Sequence, residues 1–349
     1  MEKNLKHIAI IGGGIMGISS ALYLIRRGCK VTIIEKEPNG EPASYGNASW
    51  LSSSSITPVL MPGAIFKIPK MLFSRDGPLF LNFPGVLRIL PWLLKYLSYS
   101  SEVKVNYISD HLAPLLSNSF EEHKKLAEGT DALKWIVNSP FLFIYKNRED
   151  YIRETLTWNI RKKHGFKPIE IGKDELSALV PGLSEEYTFA IKINNQGYIS
   201  NSKKYLNDLI EGFKKLGGKI IEDEVVDILS DQKTIIIKGK KEEMFSDSVV
   251  IAAGVFSDKL SKKFGANVPL QSERGYHLEL RGTNIKLNYP LMNSSLKFAI
   301  TPRPNGIRFA GLVEFGSLYS EPNKNAFDLL MRNAKSMFSG ITYQEKKEW

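Results

Sequence analysis

Residues 7–36, HIAIIGGGIMGISSALYLIRRGCKVTIIEK, decide the fold of this chain. Within them an apolar run predicts a buried strand, a segment of helical periodicity predicts a helix, and a second apolar run predicts another strand. These segments are 8–11, 18–27 and 31–34. Strand, helix and strand in this order form a βαβ unit, which is the start of a parallel sheet covered by helices.

The turn between the first strand and the helix carries the spacing G-x-G-x-x-G at Gly12, Gly14 and Gly17. Gly12 permits the tight turn, Gly14 lets the backbone approach a pyrophosphate, and Gly17 lets the helix pack closely on the strand. The helix N-terminus, with Ile15 and Met16, offers N–H groups and the positive end of a dipole to the phosphates. The turn therefore predicts a dinucleotide site.

Glu35 ends the second predicted strand, near the usual spacing from the glycines. Its carboxylate is placed to accept hydrogen bonds from a ribose, and Lys36 follows it in the predicted cofactor site. A 2′-phosphate would be repelled by this acid. The motif alone does not choose between FAD and NAD, and a glycine turn that binds no ligand is the structural alternative.

The composition is that of an ordinary globular protein, with 349 residues of which 43% are hydrophobic and 24% charged. This length predicts two domains, each with a core of its own. The formal net charge of +10 comes from lysines spread along the chain. Because no basic run alternates with aromatic residues, nucleic acid is not an expected partner. An anionic substrate or membrane surface would be favoured by this charge.

Cys29 is the only cysteine, which excludes a disulfide, a cysteine-ligated iron–sulfur cluster and a cysteine zinc site within this chain. The histidines lack metal-ligand spacing, so no metal is expected. A short charged segment leads directly into the first strand, which leaves no room for a cleavable signal. We therefore expect a cytoplasmic enzyme, or one bound peripherally to the inner face of the cytoplasmic membrane.

A loop of small polar residues follows the second strand, with SYGNAS at 44–49 and four serines at 52–55. Such residues build a loop whose backbone N–H groups face inward. A flexible serine linker is the alternative, but the embedded Trp50, Leu51 and Ile56 favour an ordered, buried loop.

The order of glycine motif, acid-ended strand and SYGNAS loop resembles the D-amino-acid dehydrogenase group. That group belongs to the FAD-dependent amine oxidoreductases related to glycine oxidase and D-amino-acid oxidase. The resemblance extends to the residues Pro58, Pro62, Gly63, Lys67, Lys70 and Pro78. In that family the S-x-x-N loop lies against the pyrophosphate and the flavin edge. The resemblance therefore implies FAD, with contacts from Ser44, Tyr45, Gly46, Asn47 and Ala48.

The same resemblance implies cofactor contacts later in the chain. It places the backbone of Val225 at the adenine, and it brings Ala253 and Gly254 close to the dinucleotide. From the residues alone, the small residues 252–254 also fit a strand end packed against a helix. Both interpretations use the same small side chains.

Strands interleaved with helices beyond the loop predict a second domain of α+β type. The fold class is therefore α/β, a Rossmann-like FAD-binding domain with a discontinuous α+β substrate domain built on an antiparallel sheet. The predicted FAD-binding domain comprises 1–76, 197–268 and 326–349. The predicted substrate domain comprises 77–196 and 269–325.

Three helical regions matter for the second domain. Residues 111–127 and 149–164 are each predicted as one helix. The most hydrophobic stretch, 79–97, is interrupted by prolines and charges, so it is predicted as two short amphipathic helices that do not cross a membrane. It would either cover the substrate cavity or lie on a lipid surface.

Oxidation of an amino acid by FAD needs few side chains. From a neutral amine, hydride passes from the α-carbon to flavin N5, while the protein orients the substrate and excludes water. The imino acid then hydrolyses to a 2-oxo acid and ammonia. No Ser/His/Asp triad or carboxylate pair is required, and none stands out in the sequence.

The catalytic candidates lie in the second half of the chain. An arginine is the best partner for a substrate carboxylate, and Arg274, Arg303 and Arg308 are the candidates, each with a surface or hairpin position as its alternative. Tyr276 and His277 alternate on a predicted strand, so only one of them can face a cavity. Tyr276 would donate to the carboxylate, with core packing as its alternative. His277 would tune proton loss from the ammonium, with a structural or solvent-side position as its alternative. We take Tyr276, His277 and Arg274 as the predicted catalytic set.

One departure from the family concerns the end of the sequence. After a tryptophan at the place of Trp349, the family normally carries a G-x-R-P segment, whose arginine holds the substrate carboxylate, and a final glycine-rich loop and helix that reach the flavin. Part of the active site is therefore expected to be missing from this sequence.

The leading hypothesis is FAD-dependent oxidative deamination of a small D-amino acid. The alternatives are an inactive flavoprotein that at most binds dinucleotide, a glycine or sarcosine oxidase, and an NAD-linked dehydrogenase. The sequence leaves the electron acceptor, quinone or oxygen, open.

Overall fold

The computed structural model describes residues 6–63, 79–81, 83–231, 234–315 and 321–349. Lys67, Lys70 and Pro78, which contributed to the family resemblance, lie outside these ranges.

The described chain contains helices and strands in alternation. In chain order the helices are α1 Ile15–Arg26, α2 Ala43–Gly46, α3 Phe83–Leu97, α4 Glu102–Leu116, α5 Ser119–Ala127, α6 Arg148–Ile152, α7 Thr155–Lys163, α8 Lys173–Leu179, α9 Ser202–Lys215, α10 Ser257–Ser261 and α11 Lys324–Met337. Short 3₁₀ turns occur at Asp131–Trp135, Gly254–Phe256 and Lys262–Phe264.

The strands, again in chain order, are β1 His7–Ile11, β2 Lys30–Glu35, β3 Trp50–Leu51, β4 Leu79–Leu81, β5 Ile136–Asn138, β6 Phe141–Tyr145, β7 Ile169–Ile171, β8 Phe189–Ile193, β9 Gly197–Ile199, β10 Lys219–Glu222, β11 Val225–Ser230, β12 Ile235–Gly239, β13 Glu243–Ser246, β14 Ser248–Ile251, β15 Glu273–Arg281, β16 Leu291–Asn293, β17 Phe298–Arg303, β18 Gly306–Phe315 and β19 Glu345–Glu348.

The chain divides into two compact units, and the first contains the glycine motif. It comprises the described residues of Met1–Tyr45, Lys124–Trp135 and Ser202–Gln271. A parallel sheet of order β10-β2-β1-β14 forms its centre, and α1 and α9 lie against each other beside it. The strands β11, β12 and β13 form a separate antiparallel sheet.

The βαβ unit predicted from the sequence is confirmed in this first unit. Ile10 on β1 pairs with Ile33 on β2, and both side chains are fully buried. The helix α1 buries Gly17, Ile18, Ala21 and Leu22 on one face, as the helical spacing of its apolar residues requires. Burial on both faces explains why these strands read as continuous apolar runs.

The second unit is built on a large, mainly antiparallel sheet. The unit comprises the described residues of Gly46–His123, Ile136–Asn201 and Ser272–Trp349. Its strand order is β19-β15-β18-β17-β16-β6-β8-β7, with β4 parallel to β18 and β16 parallel to β6. The helix α11 packs against β15 and β18 through Leu329 and Leu330. The predicted fold class, with a parallel sheet and an antiparallel sheet, is confirmed.

The unit boundaries fall elsewhere than the predicted domain ranges. Residues 326–349 belong to the second unit rather than to the first, because β19 pairs with β15 and α11 packs on the same sheet. The first boundary lies between Tyr45 and Gly46. The assignment of FAD-binding and substrate roles to the predicted ranges stays a prediction.

Two helix predictions were wrong in detail. Residues 111–127 belong to α4 and α5, which are separated at Ser117 and Asn118, and α4 begins already at Glu102, where Ser101 caps its N-terminus. Residues 149–164 likewise form α6 and α7, with a break near Arg153. Apolar spacing continued across both breaks, so periodicity alone did not reveal them.

The hydrophobic stretch 79–97 was also predicted wrongly. It contains the strand β4 and the single helix α3, which continues through Pro91 instead of dividing into two helices. A proline inside a helix removes one backbone hydrogen bond, and this helix tolerates the loss. In the part of the chain that the structure describes, no helix has the length and apolar character needed to cross a membrane.

Candidate functional site

In the first unit the glycine turn lies at the carboxyl ends of three parallel strands. Gly12 follows β1 with a φ of 103°, and a Cβ on it would lie 2.4 Å from the carbonyl oxygen of Ala252. A Cβ on Gly17 would lie 1.8 Å from the carbonyl oxygen of Gly12. Both positions therefore require glycine, as the motif predicted, and the reason is contact with backbone rather than with flexible side chains.

The N-terminus of α1 is open to an anion. Gly14 is the N-cap residue, and the first turn contains no acidic residue and no side-chain cap at that position. The hydroxyl of Ser44 accepts a hydrogen bond of 3.0 Å from the backbone N–H of Ile15. Met16 is 69% exposed at the same end of the helix. The helix dipole and these N–H groups suit a pyrophosphate.

Glu35 lies beside the glycine turn, at the end of β2. Its Oε2 accepts a 2.6 Å hydrogen bond from the N–H of Gly13, and its Oε1 accepts one of 3.0 Å from the N–H of Glu37. A carboxylate has about four lone-pair sites, so acceptor capacity remains for a ribose. The ammonium of Lys36 lies 4.3 Å from the ring centre of Phe256.

The remaining predicted cofactor residues of this unit are placed as follows. Ala252 donates its N–H to Ile11 at 2.8 Å, so the segment 252–254 leaves β14 directly beside Gly12. Gly254 has a φ of 57° and open space where a Cβ would be. Val225 begins β11 and is half-buried. Strand ends, helix N-terminus and acid together fit a dinucleotide.

In the second unit the segment 46–49 is held by a row of hydrogen bonds to its backbone carbonyls. The Nδ1 of His277 lies 2.9 Å from the oxygen of Gly46, and the hydroxyl of Thr301 donates to Ala48 at 2.7 Å. The guanidinium of Arg308 donates to Asn47 at 3.0 Å. The N–H of Ile199 donates to Ser49 at 2.7 Å. Four consecutive carbonyls are therefore fixed by donors distant in sequence.

A buried cluster of charged side chains contacts this segment. Glu279 accepts hydrogen bonds from Arg308 at 2.9 Å and from Arg281 at 2.9 Å, and Arg303 lies 3.7 Å away. Arg303 also donates to the hydroxyl of Ser49 at 2.9 Å. Burial alone would raise the pKa of Glu279, but Arg308, Arg281 and Arg303 together lower it. Glu279 therefore stays ionised and neutralises part of the arginine cluster.

Arg303 and Arg308 lie on the hairpin of β17 and β18, as one of the alternatives expected, but they are not surface residues. The side chains of these arginines are 5% and 2% exposed. Their guanidinium groups position the segment 46–49 rather than facing solvent. Glu279 and Thr301 were not among the residues predicted from the sequence, although Glu279 lies opposite Arg308 in the pairing of β15 with β18. The available signal was an acid on the predicted strand of Tyr276 and His277, two residues beyond His277.

His277 is fully buried. Burial, followed by the charge of Arg308, lowers the pKa of His277 to about 3, so the imidazole is neutral at physiological pH. Because the carbonyl of Gly46 can only accept, Nδ1 carries the proton of this neutral ring. The ring stacks on Trp349 with centroids 5.3 Å apart.

Of the four serines at 52–55, Ser53 and Ser54 are buried, Ser52 is half-buried and Ser55 is exposed. Ser54 is fully buried, and its carbonyl accepts a 3.1 Å hydrogen bond from Arg161. The guanidinium of Arg161 lies between the rings of Phe143 and Trp158, 4.6 and 4.5 Å from their centres. Gln196 donates to the hydroxyl of Ser53 at 2.8 Å. The serine stretch is therefore part of the packed second unit.

A cavity of about 230 Å³ opens beside the segment 46–49. Its wall is mostly apolar. The residues that line it are Gly46, Asn47, Ala48, Gly275, Tyr276, Met292, Lys297, Ala299, Ala310, Gly311, Leu312 and Val313. Gly311 has a φ of 134°, and a Cβ on it would lie 2.8 Å from the Cα of Phe298. All of these residues belong to the second unit.

Of the predicted catalytic set, Tyr276 lines the cavity and His277 does not, which agrees with their alternation on β15. The hydroxyl of Tyr276 donates to Glu314 and accepts a 2.7 Å hydrogen bond from the N–H of Asn323. Arg274 lies 3.5 Å from Glu314. Burial, then the bond to Glu314, raises the pKa of Tyr276, so its phenol stays protonated.

The chain has clear relatives among known proteins. A family model described as FAD dependent oxidoreductase matches residues 7–349. A D-amino-acid oxidase of Bradyrhizobium diazoefficiens is 33% identical over 337 residues, covering 95% of this chain and 80% of the relative. A D-amino acid dehydrogenase of Helicobacter pylori is 22% identical over 355 residues, covering 99% of this chain and 83% of the relative.

Solved structures share the fold. The glycine oxidase of Geobacillus kaustophilus matches with a TM-score of 0.68 and 18% identity, covering 98% of this chain and 82% of that one. An L-alpha-glycerophosphate oxidase of Mycoplasma pneumoniae, with FAD bound, matches with a TM-score of 0.68 and 15% identity, covering 99% and 83%. At these identities the likeness concerns the fold alone.

Proposed function

Since this chain belongs to the family of FAD-dependent oxidoreductases, we propose that it oxidises the amine of a small amino acid, with the D-enantiomer preferred. The family resemblance inferred from the sequence is confirmed by the match over residues 7–349, and FAD is the cofactor. The observation that supports amino-acid oxidation most is the 33% identity, over 95% of the chain, to a D-amino-acid oxidase.

The first unit offers residues that suit the cofactor. The N–H groups at the start of α1, from Gly14 to Met16, would hold the pyrophosphate, and Glu35 would accept from the ribose hydroxyls. Ser44 would contribute its hydroxyl at the same helix end. When bound, FAD supplies the acceptor for the two electrons and the α-hydrogen that the substrate loses.

The second unit offers a place for the substrate. Its cavity of about 230 Å³ lies below the roughly 300–1,000 Å³ typical of pockets for drug-sized ligands, which supports a small substrate. The apolar wall of Met292, Ala299 and Leu312 would exclude water from the reacting carbon. By resemblance, the segment 46–48 would lie against the cofactor.

The described residues that line the cavity include no histidine or carboxylate that could serve as a base. Tyr276 keeps its phenol proton at neutral pH, and the Nδ1–H of His277 is engaged with Gly46. The ammonium proton of the substrate would therefore be lost to solvent, and the neutral amine would be the reacting form. We expect kcat/KM to rise with pH until the amine of the substrate is deprotonated. The imino acid product hydrolyses to a 2-oxo acid and ammonia.

Turnover with an artificial electron acceptor tests this proposal. We expect the FAD-loaded protein to oxidise D-alanine or D-proline, and to act more slowly on L-alanine, glycine and sarcosine. FAD loading is checked first by visible absorbance and by the rise in thermal midpoint, a rise that nicotinamide cofactors should not reproduce. A protein that binds FAD and oxidises none of these amines would contradict the proposal and support the inactive flavoprotein.

A further inference from the structure

One charged side chain stands at the cavity of the second unit. Among the described residues that line this cavity, Lys297 is the only lysine, arginine, histidine, aspartate or glutamate, and the wall also includes Met292, Ala299 and Leu312. A single cation beside an apolar wall would fix the orientation of an anionic ligand, since convergent polar groups in apolar pockets provide specificity.

The backbone of Lys297 is held firmly in the turn between β16 and β17. It has a φ of 57°, an uncommon conformation for a residue with a side chain. Its N–H donates to the carbonyl of Asn293 at 2.8 Å. Asn293 is fully buried, and its side chain bonds the hydroxyl of Tyr187 at 2.9 Å and the N–H of Leu296 at 2.9 Å. The turn therefore presents Lys297 from a fixed position.

The ammonium of Lys297 is paired with Glu154 at 2.5 Å. The lysine side chain is 57% exposed and that of Glu154 is 23% exposed. The second oxygen of Glu154 accepts a 2.8 Å hydrogen bond from Tyr145. Ion pairs with such exposure contribute little to stability, so another carboxylate can join or replace Glu154 at small cost.

We propose that Lys297 binds a carboxylate of the substrate at the cavity and that Glu154 weakens this binding by competing for the ammonium. This inference rests on the proposed function. The carboxylate is either the α-carboxylate common to all amino acids or the side-chain carboxylate of an acidic one, and the two sources are separated by comparing substrates.

The first test is Lys297→Met in the FAD-loaded protein. We expect KM for D-alanine or D-aspartate to rise roughly tenfold, with kcat changed much less, because a charge-assisted hydrogen bond of ground-state binding is lost. Lys297→Arg should restore KM to within a few-fold. Lys146→Met is the matched control, because Lys146 forms a similar exposed pair with Glu186 at 2.6 Å and does not line the cavity.

The second test removes the competitor. Glu154→Gln keeps an acceptor for Tyr145 but frees the ammonium of Lys297, so KM should fall a few-fold, opposite in sign to the first variant.

The two substrates identify which carboxylate is bound. A rise in KM confined to D-aspartate in Lys297→Met assigns the side-chain carboxylate, and a rise in KM with both substrates assigns the α-carboxylate.

A binding measurement separates this inference from turnover. D-lactate carries an α-carboxylate and D-malate carries a second one, and neither has an amine. At least one of them should raise the thermal midpoint of the FAD-loaded parent and of Lys146→Met, but not of Lys297→Met. Amino-acid turnover with unchanged KM and unchanged midpoint shifts in Lys297→Met would overturn the role of Lys297 and leave the proposed function standing. Midpoint shifts that depend on Lys297 without any turnover would overturn only the proposed function.

Discussion

The glycine turn of the first unit and the segment 46–49 of the second unit are fixed in opposite ways. The turn requires residues without a side chain, because a Cβ on Gly12 or Gly17 would collide with backbone atoms. The segment depends on side chains that arrive from far along the chain, including Arg308 and His277. A turn that requires glycine can be recognised from a short sequence motif. A segment held by donors from distant parts of the chain has no such motif.

The largest effect is expected from a substitution that disrupts the hydrogen bonds to the segment 46–49. Arg308→Met removes the donor to Asn47 and leaves Glu279 short of a buried partner. Losing one partner of a buried ion pair costs about 3–5 kcal/mol of unfolding free energy. Urea unfolding at neutral pH measures this loss. Arg148→Met is the control, because Arg148 pairs with Glu170 on the surface, where a pair contributes about 0–1 kcal/mol. Equal losses in the two variants would contradict the buried role of Arg308.

The next largest effect is expected from adding one methyl group to the glycine turn of the first unit. Gly17→Ala places a Cβ against the carbonyl of Gly12, and overpacking of this kind costs about 1–3 kcal/mol. FAD affinity should fall as well, because α1 must shift away from the turn. Gly172→Ala is the control, since its Cβ meets nothing within 4 Å. The interpretation fails if FAD titration and thermal unfolding do not distinguish the two variants.

The smallest expected effect is on the pH dependence of stability, through His277, which holds the segment 46–49. The pKa of His277 is lowered to about 3 in the folded protein, while the unfolded histidine titrates near its ordinary value of 6.5. Between these values the unfolded state binds more protons, so stability is full above about pH 6.5 and falls as the pH is lowered. His277→Asn keeps a donor for Gly46 without a titrating ring. Its stability should decline less between pH 6.5 and pH 4 than that of the parent in urea unfolding series. Parallel declines would show that other groups carry the acid sensitivity.

The sequence predicted the elements of the first unit well because its signals are local. Strand, turn, helix and acid follow each other within 7–36, and each has a spacing that one physical requirement imposes. The predictions failed where apolar spacing ran across a break, as at Ser117. They also failed at Pro91, where the helix α3 continues through a proline although the proline removes one backbone hydrogen bond.

The residues that line the cavity were likewise predicted only in part from the sequence. Tyr276 was selected from the sequence, and it lines the cavity, but its hydroxyl is engaged with Glu314. Lys297 was not selected, because nothing near it in the sequence marks a ligand site. It reaches the cavity only because β16 and β17 bring the turn between them beside the strand β18.

The sequence by itself determined the βαβ unit and the family resemblance, and it predicted where a dinucleotide would bind. These follow from backbone sterics and helix dipoles, which act over a few residues. Only the tertiary structure decided how the segment 46–49 is held, which arginines are buried and which cation stands at the cavity. Burial and ion pairing depend on which strands become neighbours, and strand order in the second unit joins residues that lie more than two hundred positions apart, such as Asn47 and Arg308.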